Sequence, residues 1–331
     1  MIKRTLYLGY YFKQMKWDLL RKFLNYTSNI TGKSKTTLLV ASIRDVYQYN
    51  ISILEYFQFR FFEKSKAEKL KWAGTGTMYE FQKIANPLSE RGILDDKRLF
   101  YVNYKEFFRH QLYSYEELNT NINLIEKLLI ENTRLVLKEA TGKCGAGVKV
   151  ISTNDFTKES LLKYMKSSGY DMLETYVQQH ELINELAPNA VNTVRIFTQV
   201  NENGNYEILG CRMRISVEGM VDNLAAGNIA APIDEKTGII FGKGIYSDIT
   251  KQPEENHPIT AKKIVGFQVP YWDEVLIMVK KAALKYPQNR SIGWDVVVTN
   301  EGPGLIEGNH DWCKLVWQLP VNQGLKDRLY V

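Results

Sequence analysis

The spacing of hydrophobic and polar positions changes several times along the chain, and each change predicts an element. From Tyr7 to Tyr26, Leu8, Phe12, Met15, Leu19, Leu20 and Leu24 recur at helical spacing among Lys13, Lys16, Arg21 and Lys22. That pattern predicts a basic amphipathic N-terminal helix, which packs on its own domain and offers a means of peripheral membrane contact. After the polar break Thr31 to Ser34, a second helical region is predicted from about Thr37 to Lys71; its aromatic segment, Tyr56 to Phe62, reads as core. Lys97 stands before the apolar Leu99 to Val102, which read as extended, and a helical run passes through Leu118 to Ile130.

Beyond Arg134 the period shortens. Leu135, Val136 and Leu137 lead into Lys138, a glycine-rich stretch follows, and Val148 to Ile151 resume extended structure. A helix is predicted from Lys158 to Ser168 and a strand from Met172 to Val177. Further strands are expected at Thr193 to Val200, Tyr206 to Ser216, Ile239 to Gly244, Trp294 to Thr299 and Gly304 to Glu307, with a helix from Trp272 to Tyr286. Asn203-Gly204 and Glu301 to Gly304 are turn signals for two hairpins. The expected fold class is α+β in three parts: a mainly helical 1–85, a small subdomain 86–178 and a strand-rich 179–331.

Composition narrows the classes. With 331 residues, 44% of them hydrophobic, the chain can bury a substantial core. Its three cysteines are far apart, which supports neither a disulfide framework nor a zinc site and points to a cytoplasmic setting. No run of eighteen apolar residues occurs, and the N-terminal segment has no signal-peptide core. The net charge of +6 suits phosphorylated small molecules as well as polyanions, and no nucleic-acid module is present.

Three features carry chemistry. On the last hairpin, Glu307 and Asn309 are two apart and share a face that Asp295 can reach from the facing strand. Two carboxylates and an amide make an all-oxygen site suited to magnesium. Lys138, with the loop holding Gly142, Gly145 and Gly147, would place a cation and open backbone amides against phosphate oxygens. The loop matches neither a Walker motif nor a dinucleotide fingerprint. The third feature is Glu174-Thr175-Tyr176-Val177, an extended hinge whose backbone can meet an adenine edge while its acid takes ribose hydroxyls. Arg195, Arg212 and Arg214 lie on strands before the metal hairpin, with Arg212 and Arg214 on one face. None of the four histidines has metal-ligand spacing.

The order of these features resembles the ATP-grasp superfamily, in particular its sugar-transfer-associated group, similar in core to D-alanine:D-alanine ligases and RimK-like ligases. His257-Pro258, Gly266 to Trp272 and Ile292-Gly293-Trp294-Asp295 belong to the same resemblance. It implies an ATP-grasp fold of two α+β subdomains clamping ATP. Lys97 and Lys138 would lie on the phosphates, the glycine loop over them, and Glu174, Tyr176 and Val177 against adenosine. Arg195, Arg212, Arg214 and Asn223 would act at the transferred phosphate, where Asn228 departs from the usual double-glycine pattern. Asp295, Glu307 and Asn309 would hold two magnesium ions, with manganese as the alternative.

The implied activity is an ADP-forming carboxylate–amine ligase working through an acyl phosphate in cell-surface polysaccharide or capsule biosynthesis, on a free, nucleotide-linked or lipid-linked sugar acid. The rivals are a kinase of sugar hydroxyls and a noncatalytic ATP-binding scaffold. Oligomeric state has no signal in the sequence.

Overall fold

The computed structural model describes residues 2–142, 147–219 and 222–329. Among the described residues six α-helices come first: α1 (Ile2–Lys13), α2 (Trp17–Thr31), α3 (Lys35–Tyr49), α4 (Ile53–Gln58), α5 (Lys66–Leu70) and α6 (Thr75–Ala85). The single helix expected from Tyr7 to Tyr26 is therefore two, broken at residues 14–16. The break lets Tyr11 from one helix and Leu20 and Phe23 from the other enter the same core. The second predicted helical region is likewise divided. Asn50 caps α3 in the left-handed conformation, and Ser52 with Glu55 and Ser65 with Glu68 form capping boxes that start α4 and α5. The aromatic segment is core: Tyr56, Phe57, Phe59, Phe61 and Phe62 are all buried.

A first sheet follows. α7 (Gly92–Asp95) and α8 (Lys97–Tyr104) precede β1 (Leu112–Ser114), α9 (Tyr115–Thr120), α10 (Ile122–Glu131), β2 (Arg134–Lys138), β3 (Val148–Ser152), α11 (Lys158–Ser168) and β4 (Met172–Thr175). The strands are antiparallel in the order β1-β4-β2-β3. The residues around Lys97 are helical rather than extended, because the Asp96 side chain accepts from the Arg98 N–H and starts α8. Leu135, Leu137 and Leu173 face α10 and α11 across one small core.

The second sheet is built from β5 (Val194–Val200), β6 (Tyr206–Ile215), β7 (Ile229–Ile233), β8 (Ser291–Thr299) and β9 (Gly302–Asn309), in the order β7-β6-β5-β8-β9. α12 (Glu181–Leu186) precedes it, α13 (Trp272–Lys285) covers one face, and α14 (Lys314–Gln318) follows it. Both expected hairpins form, β5-β6 and β8-β9. The strand predicted at Ile239 to Gly244 is only a set of isolated bridges, while β7, with its Pro232 on an edge strand, was not anticipated. Alternation along β5 decides the site. Val194 and Ile196 pack toward α13, whereas Arg195 and Phe197 face the other way.

The helical N-terminal region is packed into the rest. Ala73, Met78, Phe81 and Ala85 share a core with Phe197, Trp312 and Trp317. The Ala73 N–H donates to Gln318 Oε1 at 3.0 Å, and Gln318 Nε2 donates to the Ala73 carbonyl at 2.9 Å. Glu55, 2% exposed at its side chain, pairs with Lys314 at 2.9 Å and accepts from Thr75 N and Oγ1 at 2.9 and 2.7 Å. Lys314→Met would strand this carboxylate without its cation, and a loss of about 3 kcal/mol is expected, with a smaller loss for Glu55→Gln, which can still accept from Thr75. Urea unfolding of the two variants measures this; equal stability with the parent protein would show that the pair does not join the two regions.

Candidate active site

A cavity of about 400 Å³ lies between the two sheets, with β2 to β4 on one side and β5, β8 and β9 on the other. At its floor Arg195 and Asp295, directly paired in register, form a two-pronged ion pair, Nε–Oδ1 at 2.5 Å and Nη2–Oδ2 at 2.7 Å. Arg214 on β6 donates to Asp295 Oδ2 at 2.8 Å and also to Asp222 Oδ1. Asp222 in turn accepts from Thr193 N and Oγ1 at 2.9 and 2.5 Å. Burial alone would raise the Asp295 pKa; Arg195 and Arg214 instead hold it far below the usual carboxylate range.

Glu307 faces Asp295 from β9 as its register partner. Burial first, and then the Asp295 charge, push its pKa upward. Asn309 Nδ2 donates to Glu307 Oε1 at 3.1 Å, which turns the Asn309 amide oxygen away from that carboxylate. Among the described residues no cluster of three or more His, Cys, Asp and Glu could hold a metal, so a cation here would depend on the asparagine as a donor. The donor set still fits magnesium: two facing carboxylates, Asp295 buried and Glu307 half-buried, repel each other, all the donors are hard oxygens, and a cation would relieve the repulsion. Asp295 can join only by sharing oxygens that already accept from arginine, which its four lone-pair sites permit.

The first sheet supplies the opposite wall. Lys138 pairs with Glu174 at 2.5 Å, and His110 Nε2 lies 3.5 Å from the same carboxylate. Burial would raise the Glu174 pKa, but Lys138 and then His110 outweigh it and bring it down to about 2. Glu174, expected against the ribose, lines the cavity together with Tyr176 and Val177; it is buried on the interior strand β4, whose register with β2 sets it diagonally beside Lys138. Tyr176 lines the cavity with the Arg134 guanidinium 3.8 Å from its ring centroid, and Val177 is a buried part of the same wall. Lys97, at the start of α8, donates to the carbonyls of Ala140, at 3.4 Å, and Gly142. Burial, ahead of every charge, lowers its pKa. Gly147 has φ +73°, and a Cβ there would press on the Glu139 side chain. Gly145 lies outside the described residues.

Arg212 is not part of the cavity. It shares a face with Arg214, as expected, but α14 covers its end of the sheet and its guanidinium donates to the Trp317 carbonyl at 3.0 and 2.6 Å. The C-terminal carbonyls of a helix lack partners of their own and attract such a cation. Asn223 lines the cavity and its side chain caps the turn at Ala225, while Asn228 braces the loop through Val217 N and the Asn223 carbonyl. Asp222, His110 and Thr193 were not foreseen. Asp222 adjoins Asn223 in sequence, but nothing local marks it as the partner of Arg214. His310 lies against Asp95 at 2.8 Å, His180 accepts locally from Leu182 N, and His257 Nε2 lies 2.8 Å from the Ser216 carbonyl.

The profile of a family described as sugar-transfer associated ATP-grasp matches residues 77–330. No curated protein matches the chain. Among solved structures, the ADP complex of N5-carboxyaminoimidazole ribonucleotide synthetase is similar at 10% identity over 67% of this chain and 45% of that one, with a TM-score of 0.39. D-alanyl-alanine synthetase A from Vibrio cholerae is similar at 10% identity over 70% and 65% of the two chains, with a TM-score of 0.40. The biotin carboxylase domain of 2-oxoglutarate carboxylase from Hydrogenobacter thermophilus, solved with MgADP and bicarbonate, matches at 14% identity over 75% and 52%, TM-score 0.42. The chain thus spans 45% and 65% of the length of the first two. Likenesses this loose carry no functional weight.

The Glu174 pair sets a pH dependence. Its folded pKa of about 2 lies below the unfolded value near ~4.3, so its contribution is complete above the unfolded value and disappears as pH falls through the folded one. Lys138→Met is expected to raise the Glu174 pKa and move acid destabilisation to higher pH, with a loss on the order of 3 kcal/mol at neutral pH. Urea midpoints recorded between pH 2 and 7 test this, and superimposable curves for parent and variant would refute it.

Proposed function

The chain belongs to the sugar-transfer associated ATP-grasp family and has its α+β fold, and on that premise we propose that it is an ADP-forming carboxylate–amine ligase acting on a sugar acid. The observation that supports this reading is the cavity between the sheets, which sets Lys138 and Tyr176 on one wall against Arg195, Arg214, Asp295 and Glu307 on the other. A nucleotide fits this arrangement, with adenine on the Tyr176–Val177 wall and phosphates running toward Lys97, Lys138 and the arginines. Asp295, Glu307 and Asn309 would hold magnesium, which supplies charge neutralisation at the phosphates.

In this reading a substrate carboxylate oxygen attacks the γ-phosphorus of ATP, the bond to the bridging oxygen breaks, and ADP leaves with the electron pair. Arg195 and Arg214 sit where the charge on the transferred group would be offset. An amine then attacks the acyl carbon, inorganic phosphate departs, and the nitrogen loses a proton. No protein nucleophile is needed. Cys211 fits that economy, for it is buried away from the cavity and its thiol pKa is pushed well up by burial.

The test is mass spectrometry of products formed from ATP, magnesium, a panel of uronic acids and nucleotide-linked uronic acids, and pooled amino acids with hydroxylamine as trap. An amide or hydroxamate appearing with ADP is expected; a stable phosphorylated sugar would replace this reading by a kinase. Lys138→Ala is expected to weaken ATP binding by about tenfold or more in calorimetry, the scale of one charge-assisted hydrogen bond. Glu307→Gln keeps shape but removes charge and should lower magnesium-dependent ADP formation by about 100-fold. Unchanged turnover in that variant would remove Glu307 from the metal site.

A further inference from the structure

Charge along the chain is unevenly placed. The first 35 residues carry eight Lys and Arg against a single acid, Asp18, whereas the whole chain has 43 against 37. The excess of positive charge therefore resides in α1, α2 and the turn after them, and the remainder is close to balanced. This basic segment also exposes large apolar side chains. Leu6 is 69% exposed, Tyr10 58% and Trp17 56%.

Their arrangement is specific. Leu6 and Tyr10 are one turn apart on α1, on a stripe that begins at Lys3 and ends at Lys13, all four exposed. At the elbow between α1 and α2, Phe12 and Trp17 place their rings 6.1 Å apart, with exposed Lys13 and Lys16 beside them. Lys3, Lys13 and Lys16 make no ion pair among the described residues, in contrast to Lys22, which is tied to Asp248 at 2.5 Å. The buried face of the same helices, Tyr11, Leu20 and Phe23, is already satisfied by the core. An outward apolar strip with aromatic rings at its end and lysines along it is thus left over after folding.

We propose that this elbow of α1 and α2 is a docking surface for an anionic lipid bilayer. Aromatic rings and leucine partition into the headgroup region, and flanking lysines keep their ammonium groups at the phosphate level. A negatively charged leaflet attracts each basic side chain near it, so apolar insertion and charge supply two signals where either alone would hold weakly. Among the described residues no helix is long and apolar enough to cross a membrane, so the association is peripheral. It stands independently of the ligase reading, since none of these residues lines the cavity between the sheets.

The experiment is co-sedimentation of the 331-residue chain with vesicles of phosphatidylcholine alone or with phosphatidylglycerol added, at low and high salt, alongside sedimentation velocity without lipid. Binding to the anionic vesicles only, weakened by salt, is expected. Lys13→Glu with Lys16→Glu should reduce it by about tenfold or more, and Leu6→Ser with Trp17→Ser should reduce it even at low salt. Circular dichroism and an unchanged melting temperature would show that these surface variants fold. Equal binding to neutral vesicles, or no binding, overturns the proposal. So does a dimer in sedimentation velocity that the Leu6 and Trp17 substitutions dissolve, which would give the strip to a second copy of the chain.

Discussion

Asp295 is the residue around which the cavity between the sheets is organised. Both of its carboxylate oxygens are engaged by guanidinium groups, from the adjacent β5 and from β6 beyond it, and its register partner on β9 is a second carboxylate. A charge removed from water is tolerated only where partners replace the lost solvation, and a single missing partner costs several kcal/mol. Arg195 on β5, Arg214 on β6 and Asp295 on β8 must therefore sit in this register or the sheet would bury an unpaired charge. Asp222 extends the constraint beyond the sheet, because it neutralises the second half of Arg214 and fixes the start of the neighbouring loop through Thr193. One set of ionic bonds thus orders three strands and a loop.

The opposite wall repeats the principle on a smaller scale. Lys138 and Glu174 on the first sheet and His110 from the loop before β1 form a trio at this wall, with the lysine already neutralised by a protein acid. A phosphate arriving in the cavity would meet cations preorganised by their own counter-ions, which lowers the reorganisation needed on binding at the cost of competition for the same charges. Burial and then the Asp295 charge push the Glu307 pKa upward, a tendency that a cation bound beside it would oppose. Lys97 adds a connection between α8 and the backbone at Ala140 and Gly142, so the edge of the glycine-rich stretch is anchored to a helix outside the sheet.

The helical N-terminal region takes part in this organisation without entering the cavity. Its core is continuous with Leu319, and α6 packs with Phe197 and Trp312 on the face of the second sheet next to Arg195. The same face is divided between apolar packing and charge by what lies over it. Where α6 and α14 cover the strands, Phe197 and Arg212 are sealed; where they do not, Arg195 and Arg214 open into the cavity.

Local signals in the sequence determined the elements with strong period and clear ends. α11, with its Thr157 cap and Gly169 stop, and the hairpins at Asn203-Gly204 and Glu301 to Gly304 follow from side-chain spacing and turn chemistry, which need no distant partner. The capping boxes at Ser52 and Ser65 are equally local, and they divide the second helical region. That Glu307 and Asn309 share a face, and that Asp295 faces them across a hairpin, was also legible, because alternation in strands is a property of the backbone. Only the tertiary structure decided which charges meet. Arg212 and Arg214 are equivalent by alternation, and α14, about a hundred residues later, withdraws one of them. Glu174 became a counter-ion of Lys138 because β4 inserts between β1 and β2. Pairings of this kind depend on which element covers a face, and coverage is a non-local property that no window of sequence contains.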